Sequence, residues 1–252
     1  MDCLLHPMCK KLQIIIPAAG RGSRAALPYP KCLFPVRGVP IIQRLVETLT
    51  PFDPNPLIVT SPDGHDEIAN ALACTSATPM TTVQHMPKGM GDAILTALRS
   101  LEPHSASLNA LVVWSDIPFL NAQTVRAMLQ AHMDHQNALT FVTAVTDSAY
   151  TRVERDAAGA VVSVTETRES GEPVTRGERD IGLFVFQVEP MRRLLAEELQ
   201  GKYGTGTGEH GFLYVIKHLV ARGYRVEGLP IATPEELVSF NALSDIAAYL
   251  DT

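Results

Sequence analysis

The sequence has no apolar run long enough to cross a bilayer. Its longest near the N-terminus, Leu12 to Gly20, contains Pro17 and leads straight into Arg21 and Arg24. The expectation is a chain without a membrane span or signal peptide. The four cysteines, Cys3, Cys9, Cys32 and Cys74, form no CxxC pair and no Cys/His cluster with zinc spacing. That pattern argues against a disulfide framework and a structural zinc, and it fits a reducing cytoplasm. A basic excess is missing too: 21 Lys and Arg stand against 27 Asp and Glu, a formal charge of −6, so general affinity for nucleic acid is not expected. There is no internal repeat and no low-complexity tract.

One further absence is local. No acidic residue lies between Asp2 and Glu47, whereas Lys10, Lys11, Arg21, Arg24, Lys31, Arg37 and Arg44 all do. A cationic segment inside an acidic protein points to one focused site for a small polyanion. Lys10, Lys11 and Arg44 are better read as surface residues.

What is present suffices for a substantial core: 252 residues, of which 46% are hydrophobic and 19% charged, match a single α/β domain. Residues 12–16 (LQIII) form a β-branched apolar run bounded by Pro17, the pattern of a buried central strand. Similar runs recur at 56–60, 82–84, 110–114 and 139–145, separated by helical spacing at 40–50, 65–73, 90–101 and 121–136. This alternation predicts a largely parallel, three-layer sheet. Beyond Asp147 the texture changes. Strands at 153–154 and 161–166 flank the turn 156–159, a strand covers 181–187, and helices at 189–199, 211–222 and 241–250 close the chain, with a strand at 225–229 between the last two. This half should add an antiparallel extension, and 201–208 (GKYGTGTG) reads as a loop. The pair His132 and His135 sits on a helix and reads as solvent-facing rather than metal-binding, since no third ligand lies nearby.

Gly20-Arg21-Gly22-Ser23-Arg24-Ala25 matches the dinucleotide fingerprint G-x-G-x-x-A after a strand, but Pro28 and Pro30 forbid the regular helix that the fingerprint needs. No Walker loop GxxxxGK[ST] occurs anywhere. What remains is an extended loop from Ala18 to Lys31. Its glycines allow close backbone approach, its amides, including those of Arg21 and Gly22, can cradle a triphosphate, and Arg24 and Lys31 add charge. The alternative is an ordinary glycine-rich turn. A second candidate group is Asp116, in Ser115-Asp116-Ile117-Pro118 at the end of a strand, where open α/β sheets bind ligands. A turn or cap role is its alternative.

The run PAAGRGSRAALPYPKCLFPVRGVPII resembles the N-terminal motif of the sugar-phosphate nucleotidylyltransferases, particularly N-acetylglucosamine-1-phosphate uridylyltransferases: a small-residue loop, GxGxR, then PKxLxPVxGxP. The resemblance runs from about Leu12 to Tyr249. It implies a Rossmann-like three-layer mixed sheet of the nucleotide-diphospho-sugar transferase type with a small antiparallel acceptor-binding extension. The whole chain, 1–252, would be one nucleotidylyltransferase domain, with 12–147 as the nucleotide-binding half and 148–252 as the acceptor-binding half and closing helices. It further implies that Ala18, Ala19 and Gly20 contact base and phosphates and that Arg24 and Lys31 bind phosphates of the triphosphate and transition state. Asp116 would be a Mg²⁺ ligand, with Ser115 where the family usually has glycine. Asn241, in Ser239-Phe240-Asn241-Ala242, is the second candidate ligand, its alternative being a helix N-cap.

By the same resemblance Gln84 reads the base and Gly89 opens the next helix, although Met90 stands where a threonine is common, which blurs the choice among pyrimidines. Glu166 matches a glutamate that bonds sugar hydroxyls. Asp180-Ile181-Gly182 replaces an Asn-Thr-Gly, so Asp180 would face the acceptor with a charge, and a cationic or polyhydroxy acceptor fits. Gly208-Glu209-His210-Gly211-Phe212 also resembles a family segment, with His210 equally readable as a plain loop residue.

The function implied is transfer of a nucleotide, UTP favoured over CTP or dTTP, to a sugar 1-phosphate with release of pyrophosphate. Bifunctional relatives append an acetyltransferase β-helix. This sequence shows no hexapeptide repeats, so nucleotide transfer alone is expected. The rivals are a cytidylyltransferase acting on an alcohol or amino-alcohol phosphate and a regulator that binds nucleotide sugars without turnover. A glycosyltransferase would carry an Asp-x-Asp motif, and none is present.

Overall fold

A computed structural model describes residues 12–20, 27–101, 109–241 and 243–247. The polypeptide alternates strand and helix through its first half: β1 (Leu12–Pro17), the short strands β2 (Pro35–Val36) and β3 (Val39–Pro40), α1 (Ile41–Leu49), β4 (Leu57–Thr60), α2 (His65–Leu72), β5 (Met80–Val83), α3 (Met90–Ser100), β6 (Asn109–Val113) and α4 (Ala122–Asp134). The second half is strand-rich: β7 (Leu139–Ala149), β8 (Thr151–Arg155), β9 (Val161–Glu166), α5 (Thr167–Ser170), β10 (Thr175–Gln187), α6 (Val188–Ala196), α7 (Tyr214–Ala221), β11 (Val226–Leu229) and α8 (Leu243–Ile246).

The main sheet has seven strands in the order β11-β7-β10-β6-β1-β4-β5. Its β1, β4, β5 and β6 neighbours pair in parallel, as do β11 and β7, while β10 runs antiparallel between β6 and β7. Strand alternation explains the three layers, because successive side chains leave a strand on opposite faces. Ile15 of β1, Leu57 and Val59 of β4, and Ala110 and Val112 of β6 pack on one face against Ile94, Leu98, Leu195 and Leu219 of α3, α6 and α7. Ile14, Ile16, Ile58, Leu111 and Val113 pack on the other against Ile42, Leu45, Ile68 and Met128 of α1, α2 and α4. Both faces are covered, so β1 needs its unbroken apolar run. The fold expected from the sequence, a three-layer Rossmann-like mixed sheet with a small antiparallel extension, is the fold observed, and the β8–β9 hairpin is that extension.

Three readings need correction. His132 faces the interior: it is 2% exposed, with Nδ1 3.0 Å from the Thr140 hydroxyl and Nε2 3.2 Å from Asn109 Oδ1. His135 is exposed as expected and contacts Glu227 at 2.7 Å. The strand expected at 181–187 extends back to Thr175, because Glu178 and Asp180 find hydrogen-bond partners on neighbouring strands. The closing helix expected at 241–250 is observed as Leu243–Ile246, and the end of that span lies outside the described residues.

The chain lays β1, β4 and β5 outward in one direction and then returns to place β6 on the other side of β1. That reversal opens a crevice beyond the carboxyl ends of β1 and β6, where open α/β sheets receive ligands. The segments that follow those two strands are Ala18-Ala19-Gly20 and Trp114-Ser115-Asp116.

Candidate active site

A cleft of about 1560 Å³ covers this crevice and extends over the β8–β9 hairpin. It exceeds the roughly 300–1,000 Å³ of ordinary small-molecule pockets, enough for two substrates side by side. Ala19, Gly20, Lys31, Gln84, Gly89 and Asp116 line one part, and Glu166, Asp180 and Asn241 line the same cavity. Ala18 is buried at the end of β1, its amide donating to Val59 O at 2.7 Å. Arg21, Gly22 and Arg24 lie outside the described residues.

Lys31 and Asp116, 85 positions apart, are in contact: Lys31 Nζ donates to Asp116 Oδ2 at 2.6 Å. Local structure accounts for it. Pro30 O accepts from Leu33 N at 2.9 Å, closing a 3-10 turn over Lys31–Leu33, and Cys32, 2% exposed, plugs that turn into the core. Burial pushes the Cys32 thiol up to about 12, so it stays a neutral wedge and Lys31 is left aimed at the strand end. The Lys31 and Asp116 side chains are only 17% and 16% exposed.

Asn241 arrives on a segment pinned at two points. Phe240 N donates to Asp116 O at 2.8 Å, and the Phe240 ring packs on Phe34 with centroids 4.5 Å apart. Asn241 Nδ2 donates to Ser239 Oγ at 3.2 Å, and its backbone amide is capped by Asp245 Oδ2 at 2.9 Å. The residue thus stands two positions before α8, not at its first turn. Asp116 Oδ1 is buried and has no hydrogen-bond partner. A buried carboxylate oxygen left unpaired is costly unless something absent from the protein claims it. Among the described residues no group of three His, Cys, Asp or Glu side chains is placed to hold a metal ion. A Mg²⁺ ion, which binds few protein groups and completes its shell with phosphate oxygens and water, fits a site offering a single free carboxylate oxygen.

Gln84, 6% exposed, donates both protons of its amide, to Gly89 O at 3.1 Å and Asp92 Oδ2 at 2.9 Å. Gly89 opens α3 with φ 105°, and a Cβ there would meet His210 O at 2.6 Å. That close approach is a backbone seam: His210 N donates to Lys88 O at 2.6 Å and Gly91 N to His210 O at 2.9 Å. His210 is buried, with Nε2 3.2 Å from the Tyr214 hydroxyl, and burial and the neighbouring Lys202 charge push its pKa down to about 4. It is a neutral prop under the glycine turn.

Asp180 is 2% exposed, accepting from the Thr151 hydroxyl at 2.6 Å and from Gly182 N at 2.9 Å. Burial raises its pKa. Gly182 has φ 81°, and a Cβ there would strike Trp114 Cδ1 at 2.4 Å, so the bulge that places Asp180 requires glycine. Glu166 ends β9 with its carboxylate 2.6 Å from Arg168 Nε, and burial raises its pKa against that cation. Glu169 anchors the glycine-rich loop, accepting from Gly206 N at 2.9 Å and from the Thr207 hydroxyl at 2.9 Å. Trp114, Tyr150, Glu169 and Arg179 also line the cleft and went unremarked in the sequence. Trp114 and Arg179 each lie next to a motif that was read, which was the available signal.

These features define a mixed-sheet protein with a ligand cleft at its switch point, a cation–carboxylate pair in its floor and a glycine turn at its rim. A model of the MobA-like NTP transferase domain matches residues 14–207, and the chain belongs to that family. It is 31% identical over 198 residues to bifunctional protein GlmU of Cupriavidus pinatubonensis, a match covering 76% of this chain and 42% of that protein. With bifunctional protein GlmU of Kineococcus radiotolerans it shares 29% identity over 242 residues, 93% of this chain and 48% of the relative. The chain spans about half the length of the curated relatives it matches. The resemblance read from the sequence, to sugar-phosphate nucleotidylyltransferases, is thereby supported. Among solved structures, a candidate glucose-1-phosphate thymidylyltransferase from Bacillus anthracis, in complex with sucrose, superposes with a TM-score of 0.72 at 16% identity over 96% of both chains. HddC from Yersinia pseudotuberculosis gives 0.67 at 14% identity, covering 95% of this chain and 98% of its own. At such identities the likeness is one of fold. No helix among the described residues is long and apolar enough to cross a membrane.

Proposed function

We propose that this chain transfers a nucleoside monophosphate from a triphosphate to a sugar 1-phosphate and releases pyrophosphate. The observation that carries this reading is the 2.6 Å contact of Lys31 with Asp116 beside a buried, unpartnered Asp116 Oδ1. One cation is thus poised for phosphate charge and one oxygen for a divalent ion. In this reading the loop after β1, with Arg21, Gly22 and Arg24, cradles the triphosphate, and Lys31 leaves Asp116 for the phosphates. Asp116 and Asn241 would hold Mg²⁺, which when bound supplies charge neutralisation and orientation of the α-phosphate.

No side-chain nucleophile is needed. An acceptor phosphate oxygen, already ionised at neutral pH, forms the new bond to the α-phosphorus while the bond to the bridging oxygen of pyrophosphate breaks. Positioning in the cleft, with Lys31 and Arg24 on the developing charge, supplies the rate. With both Gln84 amide protons donated to Gly89 and Asp92, that side chain offers the base an acceptor oxygen. Uracil, thymine and cytosine each carry a donor to meet it, so UTP is favoured by the family resemblance, with CTP and dTTP as competitors. Glu166 and, behind it, Asp180 would shape the acceptor side.

A second reading has its own support. Glu154, Glu166, Glu169, Glu172 and Glu209 all line the cleft. Such a wall favours a positively charged acceptor, as in cytidylyl transfer to an amino-alcohol phosphate. One screen separates the two: pyrophosphate release from four triphosphates against sugar 1-phosphates and amino-alcohol phosphates, with and without Mg²⁺. Release confined to a sugar 1-phosphate supports the first reading, release confined to an amino-alcohol phosphate supports the second, and none with any pair refutes both.

A further inference from the structure

Neighbouring residues on β10 point to opposite faces. Asp180 turns toward Thr151 and Gly182, while the Arg179 guanidinium turns the other way and lies over the Tyr150 ring, its Cζ 4.2 Å from the centroid. Arg179 is 5% exposed; its Nη2 donates to Leu237 O, whereas Nε and Nη1 are buried without a hydrogen-bond partner. No carboxylate among the described residues forms an ion pair with it. A guanidinium cannot shed its proton, and a buried cation without an anion is costly to maintain.

Other cations that border the cleft are differently placed: Lys31 is held by Asp116 at 2.6 Å, Arg168 by Glu166 at 2.6 Å, and Lys217 is exposed. Asp180, whose charge Arg179 feels, already commits one oxygen to Thr151 and the other to Gly182. In a cleft lined by five glutamates, Arg179 is the buried cation left with spare donors for an incoming anion. Its partner Leu237 lines the same cleft as Ser239 and Asn241, so an anion held by Arg179 lies beside the segment carrying the candidate metal ligand.

We propose that Arg179 binds the phosphate group of the acceptor, a reading that rests on the nucleotidyl-transfer function above. Its planar fork matches a phosphate monoester dianion, and the Tyr150 ring lies against it. Because Nε and Nη1 are covered, binding requires the guanidinium to rotate or the 237–241 segment to shift outward. The glutamate wall then reads the remainder of the acceptor, and Arg179 supplies the attraction without which an acidic surface would repel its phosphate.

The test is steady-state pyrophosphate release by wild-type, Arg179→Met and Arg179→Lys chains at saturating triphosphate with the acceptor varied. Loss of a charge-assisted phosphate contact should raise the acceptor KM about 10- to 100-fold in Arg179→Met, with a smaller rise in Arg179→Lys and the triphosphate KM changed less than about threefold. An unchanged acceptor KM overturns the proposal. So does a fall in unfolding midpoint and kcat at constant KM, the behaviour of an arginine that only holds Leu237. If the wild-type chain releases no pyrophosphate with any acceptor, the transfer reading fails, and the arginine is tested alone by equilibrium dialysis with radiolabelled inorganic phosphate. Arg179→Met should then bind it at least about tenfold more weakly than wild type, and equal binding refutes the anion site.

Discussion

Replacing Lys31 separates catalysis from folding, because the structure makes the two costs very different. The Lys31–Asp116 pair is short at 2.6 Å, yet both side chains keep 17% and 16% exposure, so it is neither a free surface pair nor a sealed one. Surface pairs contribute about 0–1 kcal/mol, and breaking a fully buried pair costs about 3–5 kcal/mol. Discounting for the solvent that reaches this pair gives about 1–2 kcal/mol for Lys31→Ala, a drop of about 3–6 °C in unfolding midpoint for a chain of this size. A donor aimed at developing charge in a water-poor site contributes about 100- to 1,000-fold in rate. At room temperature Lys31→Ala should therefore remain folded by circular dichroism while kcat for pyrophosphate release falls by two to three orders of magnitude on that estimate. The same variant frees Asp116 Oδ2, so Mg²⁺ titrated without nucleotide should bind more tightly than to wild type. A kcat within about threefold of wild type, or a loss of rate that merely follows loss of folded protein, would refute the assignment.

Two further outcomes follow from the packing. Burial pushes His132 down to about 4 from 6.5, so the folded state prefers the neutral ring; this stability is complete above pH 6.5 and is lost as pH falls toward 4. A shift of that size corresponds to about 3–4 kcal/mol at about 1.36 kcal/mol per unit, and denaturant titrations of His132→Gln at several pH values should show a flatter profile than wild type; parallel profiles would contradict the burial argument. Gly89→Ala places a Cβ 2.6 Å from His210 O at φ 105° and should lower stability by about 1–3 kcal/mol while raising the triphosphate KM, measured by melting and initial rates. A variant as stable and active as wild type would mean that the seam between residues 88–91 and 210–211 is not needed.

The sequence made the first half of the fold legible because β-branched runs such as Ile14-Ile15-Ile16 and helices with apolar stripes carry their burial in their own spacing. The pairing of Lys31 with Asp116 was legible only through chemistry, a cation after a glycine loop and an acid after a strand, since nothing local joins positions 85 apart. His132 was misread because its partners, Asn109 and Thr140, sit on β6 and β7, and a helix pattern does not reveal which polar residue meets a buried hydroxyl. The places of Glu178, Arg179 and Asp180 were not legible for a similar reason. Each finds its partner on another element: Arg155 and Thr143 for Glu178, Leu237 for Arg179, Thr151 for Asp180. Pairing across elements is a tertiary property, and it is also what kept Arg179 from being noticed beside the acidic residue that was.

The proposed nucleotidyl transfer depends most on Asp116 as the anchor for a divalent ion opposite the triphosphate loop. Initial rates of pyrophosphate release by Asp116→Ala across a Mg²⁺ titration, with the substrate pair that the screen identifies, measure this directly. The expected result is a rate at least about 1,000-fold below wild type at every Mg²⁺ concentration with an intact circular dichroism spectrum, and turnover near the wild-type rate would contradict the claim.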